Sequence, residues 1–561
     1  MDQTIGKSRW LRVSTLVAGV AVFLSACGGS STTGTSITNG GTLIWALDAD
    51  AQSLNPFVAG DVPSVRAYGF LFPNLYQADQ NLNVNPDLAV GMPTISADKK
   101  VWTVKLRPNA KWSDGTPITA DDVVMTVNLQ NNPALDTDAA FDWGKLDKVE
   151  KVDATTVKFT LTEPFAPFLA NNLLTFVAPA SVYGKIDPAK QRTDPVSLNP
   201  TVTGGPYKFD KRVAGSEIDY VANTNYYLGR PHYDKAIAKV ITDATAAANA
   251  LINGDVSWHP ALGESGSGGV SKAKTANGVQ VHDYADLGYI DMRLNTRKGH
   301  LFDNVLTRQA MAYALDKPSI VQAATEGRGQ TLWGDIVPAS WAYDANAVVT
   351  YTQDVTKAKA LMTQAGWTIG ADGIATRGGQ KFVGKIRIRA GKPQRIKAGQ
   401  IISDQLKAIG ISLTPDPVDF KVFYKPIQAG DFDVAIAGFG LTVDPDDYTT
   451  FHSSQLQPEH KSGNNWTGYS NPALDTLIDQ ERATIKATDA ETKAARKVIF
   501  NQMEKIISGD IVTYMLWADK SAMGWSGNVG GVVAGSGDNV IYVDDARNTE
   551  VTAAWYSKSG K

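Results

Sequence analysis

Six histidines, His232, His259, His282, His300, His452 and His460, are the side chains of this 561-residue chain that could ligate a metal or move a proton near neutral pH. No two of them fall at i and i+4 of a helical pattern. The chain also has no H-E-x-x-H, no C-x-x-C, no G-x-S-x-G elbow and no Walker A phosphate loop. His452 and His460, the closest pair, read as loop histidines, so no metal ligand is assigned. The carboxylates are numerous, and numerous carboxylates are usually a solvated face. A formal net charge of −3 gives no basic footprint for nucleic acid. These residues point to a protein that binds without catalysing, with no catalytic residue and no cofactor. Thirteen Trp, nineteen Tyr and eighteen Phe are present, and such large aromatics are more often core than ligand platform; only those at a binding cleft would favour an amphipathic or multi-unit solute.

Cys27 is the only cysteine, so no intramolecular disulfide can form. It follows a basic stretch (Lys7, Arg9, Arg12) and an apolar run, Val13 to Leu24, too short to cross a hydrocarbon core of about 30 Å. That is a signal peptide over residues 1–26. Leu24-Ser25-Ala26-Cys27 resembles a bacterial lipobox, which implies lipidation at Cys27 and two acyl chains as a stable membrane anchor. Residues 27–41, rich in Gly, Ser and Thr, form a flexible tether spanning about 20 Å as a random coil.

Local signals are densest in VWTVKLRPNAKWSDGTPITADDVV (Val101 to Val124). Trp102, Val104 and Leu106 alternate with polar residues as in a half-buried strand. Ser113 to Pro117 is a turn, and Thr119 with Asp122 three residues on caps a helix. Further along, a strand is expected at Thr155 to Leu161, and Pro164 and Pro167 bracket a helix entry. A strand at Ile237 to Ile241 precedes an Ala-rich helix capped by Asp243 and stopped by Gly254. Gly263 to Gly269 reads as a flexible loop. Asp303 caps a helix, and others run over Asp354 to Ala365 and Ile396 to Ile409. Val434 to Ala437 is a buried strand, Pro472 opens a helix, and a second helix ends near Ile507. From Trp517 onward the chain reads as strands.

LRPNAKWSDGTPITADDVV resembles the signature of the family 5 extracellular solute-binding proteins, the oligopeptide- and dipeptide-binding subunits of bacterial ABC importers. The resemblance extends over roughly residues 42–545, including SLNPF (Ser53 to Phe57) and Gly204-Gly205-Pro206-Tyr207. It implies an α/β fold of the periplasmic-binding-protein type II (cluster C), two lobes about a hinge, with a small α/β domain inserted in the first lobe. The implied division is 42–76, 201–293 and 520–561 for lobe I, 77–200 for the inserted lobe II, and 294–519 for lobe III. The implied partners are a small solute, most often a peptide, the transmembrane and ATPase subunits of an ABC permease, and the membrane through the lipid. The protein would act as a monomer on the extracytoplasmic face of the cell membrane, in the periplasmic space where the envelope has one.

The resemblance also implies a cleft between the segment near Asn55, Gly60 and Val62 and that near Gly438, Phe439, Gly440, Thr442 and Asp444, with Phe420, Phe423, Tyr424, Tyr448 and Trp466 at its walls. Peptide-binding members carry G-W-x-x-D at Gly438 to Thr442. Their backbone pairs with the peptide, and their aspartate receives its α-ammonium group. Here Phe439 stands for the Trp and Thr442 for the Asp, leaving Asp444 as the neighbour that could take over. Other readings are the same fold holding an oligosaccharide, metal chelate or haem, or a receptor that feeds no permease. A cell-surface hydrolase is disfavoured by the absent motifs.

Overall fold

A computed structural model describes residues 39–79, 81–139, 143–460, 463–532 and 555–558, with backbone alone at 264, 265, 420, 421 and 556. The signal peptide, Cys27 and all but the last residues of the tether lie outside them. Among the described residues no helix is long and apolar enough to cross a membrane.

The strand–turn–helix signals resolve as read. Val101–Lys105 is a strand whose Trp102 and Val104 are buried, and Trp102 meets Phe168 edge-on at 5.3 Å. Gly115 sits at φ +87°, a conformation that favours glycine, and its N–H donates to the Trp112 carbonyl at 2.9 Å. The helix Ala120–Gln130 starts where Asp122 accepts the Thr119 N–H at 2.8 Å. With Thr94–Ile95, Thr156–Leu161 and Leu146–Asp153, the first strand makes a four-stranded sheet over its own apolar cluster.

The largest sheet among the described residues has eleven strands. From one edge it runs Ser412–Val418, Val383–Arg389, Val434–Gly440, Val279–Leu294, Thr513–Ser526, Trp258–His259, Thr42–Leu47, Lys235–Val240, Glu217–Ala222 and Tyr207–Val213; Gly329–Thr331 pairs laterally with Thr513–Ser526. Pro415 and Pro417 lie on the first of these strands, an edge position where a missing N–H costs no ladder bond.

Two long antiparallel strands carry the sheet from one half to the other. Val279–Ala285 pairs with Lys520–Ser526, and Tyr289–Arg293 pairs with Thr513–Ala518; between Ala285 and Tyr289 the register breaks. Each half buries its own core. Trp45, Phe70 and Trp258 anchor one, with Trp45 and Phe70 stacked at 5.6 Å. Met292, Leu294, Ile386, Ile436 and Trp517 belong to the other. Ile290, Met292 and Leu294 face that second core, so alternation turns Tyr289, Asp291 and Arg293 to the opposite face.

Two local expectations are corrected. Asn304, not Asp303, caps the helix Val305–Ala314, its Oδ1 accepting the Leu306 N–H at 2.8 Å; Asp303 accepts instead from Gly299 N–H and from Arg377. Gly263 to Gly269 is not an irregular loop: a 3₁₀ turn, Leu262–Ser265, leads into a helix, Gly266–Thr275. Val270 and Ala273 of that helix pack against Leu251 and Leu262, and this burial outweighs the entropy that glycine loses in a helix.

Candidate functional site

Val434–Gly440 is longer than the sequence pattern suggested, and its two edges are used unequally. One edge pairs with Gly288–Leu294 along the strand's whole length. The other pairs with Ile386–Ile388 only from Val434 to Ile436. From Ala437 to Gly440 that second edge has no strand beside it among the described residues. Gly438 lets Arg395 and Ile290 approach the backbone, because a Cβ there would collide with both. Gly440 faces open space. Phe439 is half-buried, stacked on Tyr289 at 5.9 Å with the Arg293 guanidinium 5.6 Å from its ring.

Thr442 is exposed, and its hydroxyl lies 3.0 Å from Asn171 Oδ1 and 2.7 Å from the Asp444 carbonyl. Asn171 belongs to the turn Phe168–Asn172 beside the four-stranded sheet, so this contact joins that turn to the loop. Val443 deepens the junction by packing with Ala78 and Leu82. The Arg482 carbonyl also accepts the Ala166 N–H at 2.6 Å.

Asp444 is engaged by an arginine. It is 6% exposed and receives a bidentate fork from Arg496, itself 2% exposed, with Nη2 to Oδ1 at 2.7 Å and Nη1 to Oδ2. Arg496 also donates to fully buried Glu481, its Nε lying 2.9 Å from Oε2. Burial opposes the guanidinium's charge, but Asp444 and Glu481 outweigh it and hold its pKa above the usual value. Arg496 and Glu481 lie on separate helices, Asp489–Asp510 and Pro472–Ala483, and no sequence spacing announced them.

The other acids of the loop are also committed. Asp446 accepts from Arg482 Nε at 3.2 Å and from Tyr448 N–H at 3.1 Å; burial raises its carboxyl pKa while Arg482 opposes the shift. Asp447 is raised well above the carboxylate range by burial and by Asp335. The loop therefore offers a solute no unpaired carboxylate.

The remaining candidates are spread around this strand end. Tyr448 lies under the Arg482 guanidinium at 3.9 Å and beside His452 at 4.8 Å. Trp466, 6% exposed, lies beneath Arg293 at 4.2 Å and meets Tyr424 edge-on at 5.5 Å. Phe423 is buried in the same cluster. Phe420 opens the helix Phe420–Gln428, and its side chain lies outside the described residues. Arg293 itself went unread, although a charged pair at alternate positions of an apolar strand signals a buried polar face. Its Nε donates to Asp291 Oδ2 at 3.0 Å.

The opposite segment is partly structural. Asn55 is fully buried and holds its own loop: Nδ2 donates to Ser197 Oγ at 3.0 Å and to Gln191 Oε1 at 3.2 Å, and Oδ1 accepts the Phe57 N–H at 2.9 Å. Gly60 lies so close to Ala139 that a Cβ would come within 2.9 Å of that Cα. Val62, 56% exposed, opens the helix Val62–Gly69. No group of three or more His, Cys, Asp or Glu among the described residues is arranged to hold a metal ion.

Residues 83–459 match the model of the bacterial extracellular solute-binding proteins, family 5. The chain is 29% identical over 514 residues to the oligopeptide-binding protein AppA of Bacillus subtilis, covering 89% of this chain and 91% of that one. It is 27% identical over 535 residues to haem-binding protein A of Haemophilus influenzae, covering 88% and 92%. The structure of the Bacillus subtilis AppA in complex with a nonapeptide superposes with a TM-score of 0.74 at 26% identity, covering 93% of this chain and all of that one.

Proposed function

Because the chain belongs to the bacterial extracellular solute-binding proteins, family 5, with their type II two-lobe fold, we propose that it captures a peptide or peptide-like solute and delivers it to an ABC permease. The observation that carries this reading is the unpaired edge of Ala437–Gly440 at the end of a strand whose other edge is fully paired. A solute with an amide backbone adds there as a further strand, each N–H and C=O finding a partner without a charged anchor. The register break between Ala285 and Tyr289 is the pivot about which the lobes close. On this reading lobe I comprises 42–76, 201–293 and 520–561, lobe II 77–200, and lobe III 294–519. Cys27 carries the lipid that keeps the protein at the membrane.

The solute's α-ammonium group is not the main handle. Thr442 brings a neutral hydroxyl, and Asp444 is spent on Arg496. A neutral hydrogen bond contributes about 0.5–1.5 kcal/mol where one to a charged group contributes about 1.5–3. Titration calorimetry on free-amine and N-acetylated forms of one tetrapeptide tests this. Affinities within about threefold support the reading, and a loss of tenfold or more on acetylation refutes it. Fractionation of Cys27→Ser, expected to leave the membrane, tests the anchor. Uptake in a permease-null strain separates delivery from sensing. The haem-binding relative gives the second reading, a non-peptide solute in the same cleft, which native mass spectrometry of the co-purified ligand distinguishes.

A further inference from the structure

Three carboxyl groups from separate parts of the third lobe meet behind the loop that ends the candidate strand. Asp335 lies in the segment after Gly329–Thr331, Asp447 closes the loop 441–447, and Glu504 projects from the helix Asp489–Asp510. They are 1%, 4% and 4% exposed. Asp335 is within hydrogen-bonding reach of both Asp447 and Glu504. The oxygens Asp335 Oδ1, Asp447 Oδ2 and Glu504 Oε2 accept from no N–H or hydroxyl among the described residues. Glu504 is fixed from the other side, its Oε1 accepting the Ile336 N–H at 2.9 Å. Gly334 leaves room for its carboxyl group, since any Cβ at that position would overlap it.

Two carboxyl groups at hydrogen-bonding distance attract only when a proton lies between them, so two such contacts require two protons. Among the described residues no cation near the trio is free to substitute. Of the groups around the trio, Arg496 is engaged by Asp444 and Glu481, and Arg482 by Asp446. Lys497, on the same helix as Glu504, donates to the Tyr343 carbonyl. The other titratable groups facing the trio are Glu481, Tyr289 and Tyr343, none of which brings a positive charge.

We propose that Asp335, Asp447 and Glu504 form a proton-held clasp that fastens the loop 441–447 to the body of the third lobe, and that losing its protons as pH rises releases the loop. The consequence reaches the site because Thr442 and Val443, five and four residues before Asp447, make the contacts with Asn171, Ala78 and Leu82. Burial, reinforced by Asp335, lifts the carboxyl pKa of both Asp447 and Glu504. The folded state thus holds protons that the unfolded chain has already released. Stability from the clasp is complete below the ordinary carboxylate range and declines as pH rises through the raised values.

The test uses the full-length protein and needs no ligand. Hydrogen exchange of residues 441–451, corrected for intrinsic rates, is followed from about pH 5 to about pH 9. While the closed loop holds protons that the opened loop has released, protection is expected to fall by about tenfold per pH unit for each such proton, and to level off above the raised values. Infrared difference spectra over the same range should show a protonated-carboxyl stretch disappearing. The double variant Asp447→Asn, Glu504→Gln supplies amide N–H groups where the protons were; it should lack that band and keep pH-independent protection. Glu504→Gln alone should halve the slope, which keeps the proposal testable if the double variant folds poorly. A wild-type protein with no protonated-carboxyl band, or with protection independent of pH, overturns the clasp. So does a double variant that retains the wild-type slope.

Discussion

Replacing Asp444 by Asn separates a loop fastener from a ligand contact. Asp444 accepts two hydrogen bonds from Arg496, and Glu481 remains as that arginine's second partner. Asn keeps one acceptor oxygen but loses the charge, and its amide presents N–H toward a guanidinium that can only donate. Breaking a buried ion pair outright costs about 3–5 kcal/mol, and losing one hydrogen bond between charged groups about 1.5–3. Since Glu481 still neutralises Arg496, the lower range applies, offset in part because Asp444 no longer repels Glu481. The expected loss is about 2 kcal/mol, or about 4 °C in Tm on the scaling for large domains. Scanning calorimetry measures that, and titration calorimetry compares free-amine with N-acetylated tetrapeptides. The variant should lower Tm while leaving the ratio of the two affinities unchanged. An unchanged Tm, with affinity for the free amine alone falling about tenfold, would refute the assignment and make Asp444 the ammonium acceptor.

Thr442→Asp should shift preference toward free-amine peptides by about tenfold and loosen the contact with Asn171, because the new carboxylate cannot donate to Asn171 Oδ1; calorimetry on the same peptide pair reads it. His259 is 2% exposed, neither ring nitrogen has a partner among the described residues, and burial lowers its pKa from 6.5 to about 4. The fold keeps it neutral, so its contribution is complete above pH 6.5 and lost as pH falls toward 4, by about 3 kcal/mol. His259→Leu should flatten that limb of the denaturation profile; an unchanged limb would place its cause elsewhere. Lys317 is buried against the rings of Trp333 and Tyr514, its Nζ donating to the Leu332 carbonyl at 2.9 Å, and burial lowers its pKa well below the ordinary value. Lys317→Met exchanges that hydrogen bond for relief from burying a charge, so stability at neutral pH should stay within about 1.5 kcal/mol of wild type. The gain in stability that wild type shows as pH rises toward 10.5 should vanish in urea titrations of the variant.

Elements whose causes are local were legible in the chain before any tertiary contact was known. Thr119 and Asp122 cap a helix, Gly115 turns the chain and Pro472 opens a helix because neighbouring backbone groups and fixed dihedrals need nothing distant. The long run WSDGTP and its flanks also carried the family, and with it the two-lobed α/β fold. Residues 263–269 show the limit of that reasoning: their composition favours irregular backbone, and only burial of Val270 and Ala273 makes the segment after Ser265 helical. At the site, sequence placed a strand only over Val434 to Ala437, took Gly438, Phe439 and Gly440 from the family resemblance, and noted that Thr442 lacks a carboxylate. It could not assign Asp444, because the arginine that claims it arrives 52 residues later on another helix, and pairing at that separation leaves no pattern in the chain. Asp335, Asp447 and Glu504 are likewise three ordinary acids until folding brings them together, 168 residues apart between Asp335's neighbour Ile336 and Glu504. Charge states and free backbone edges depend on what packs against them, and that is set only when the two halves of the sheet and the helices between them close around the loop.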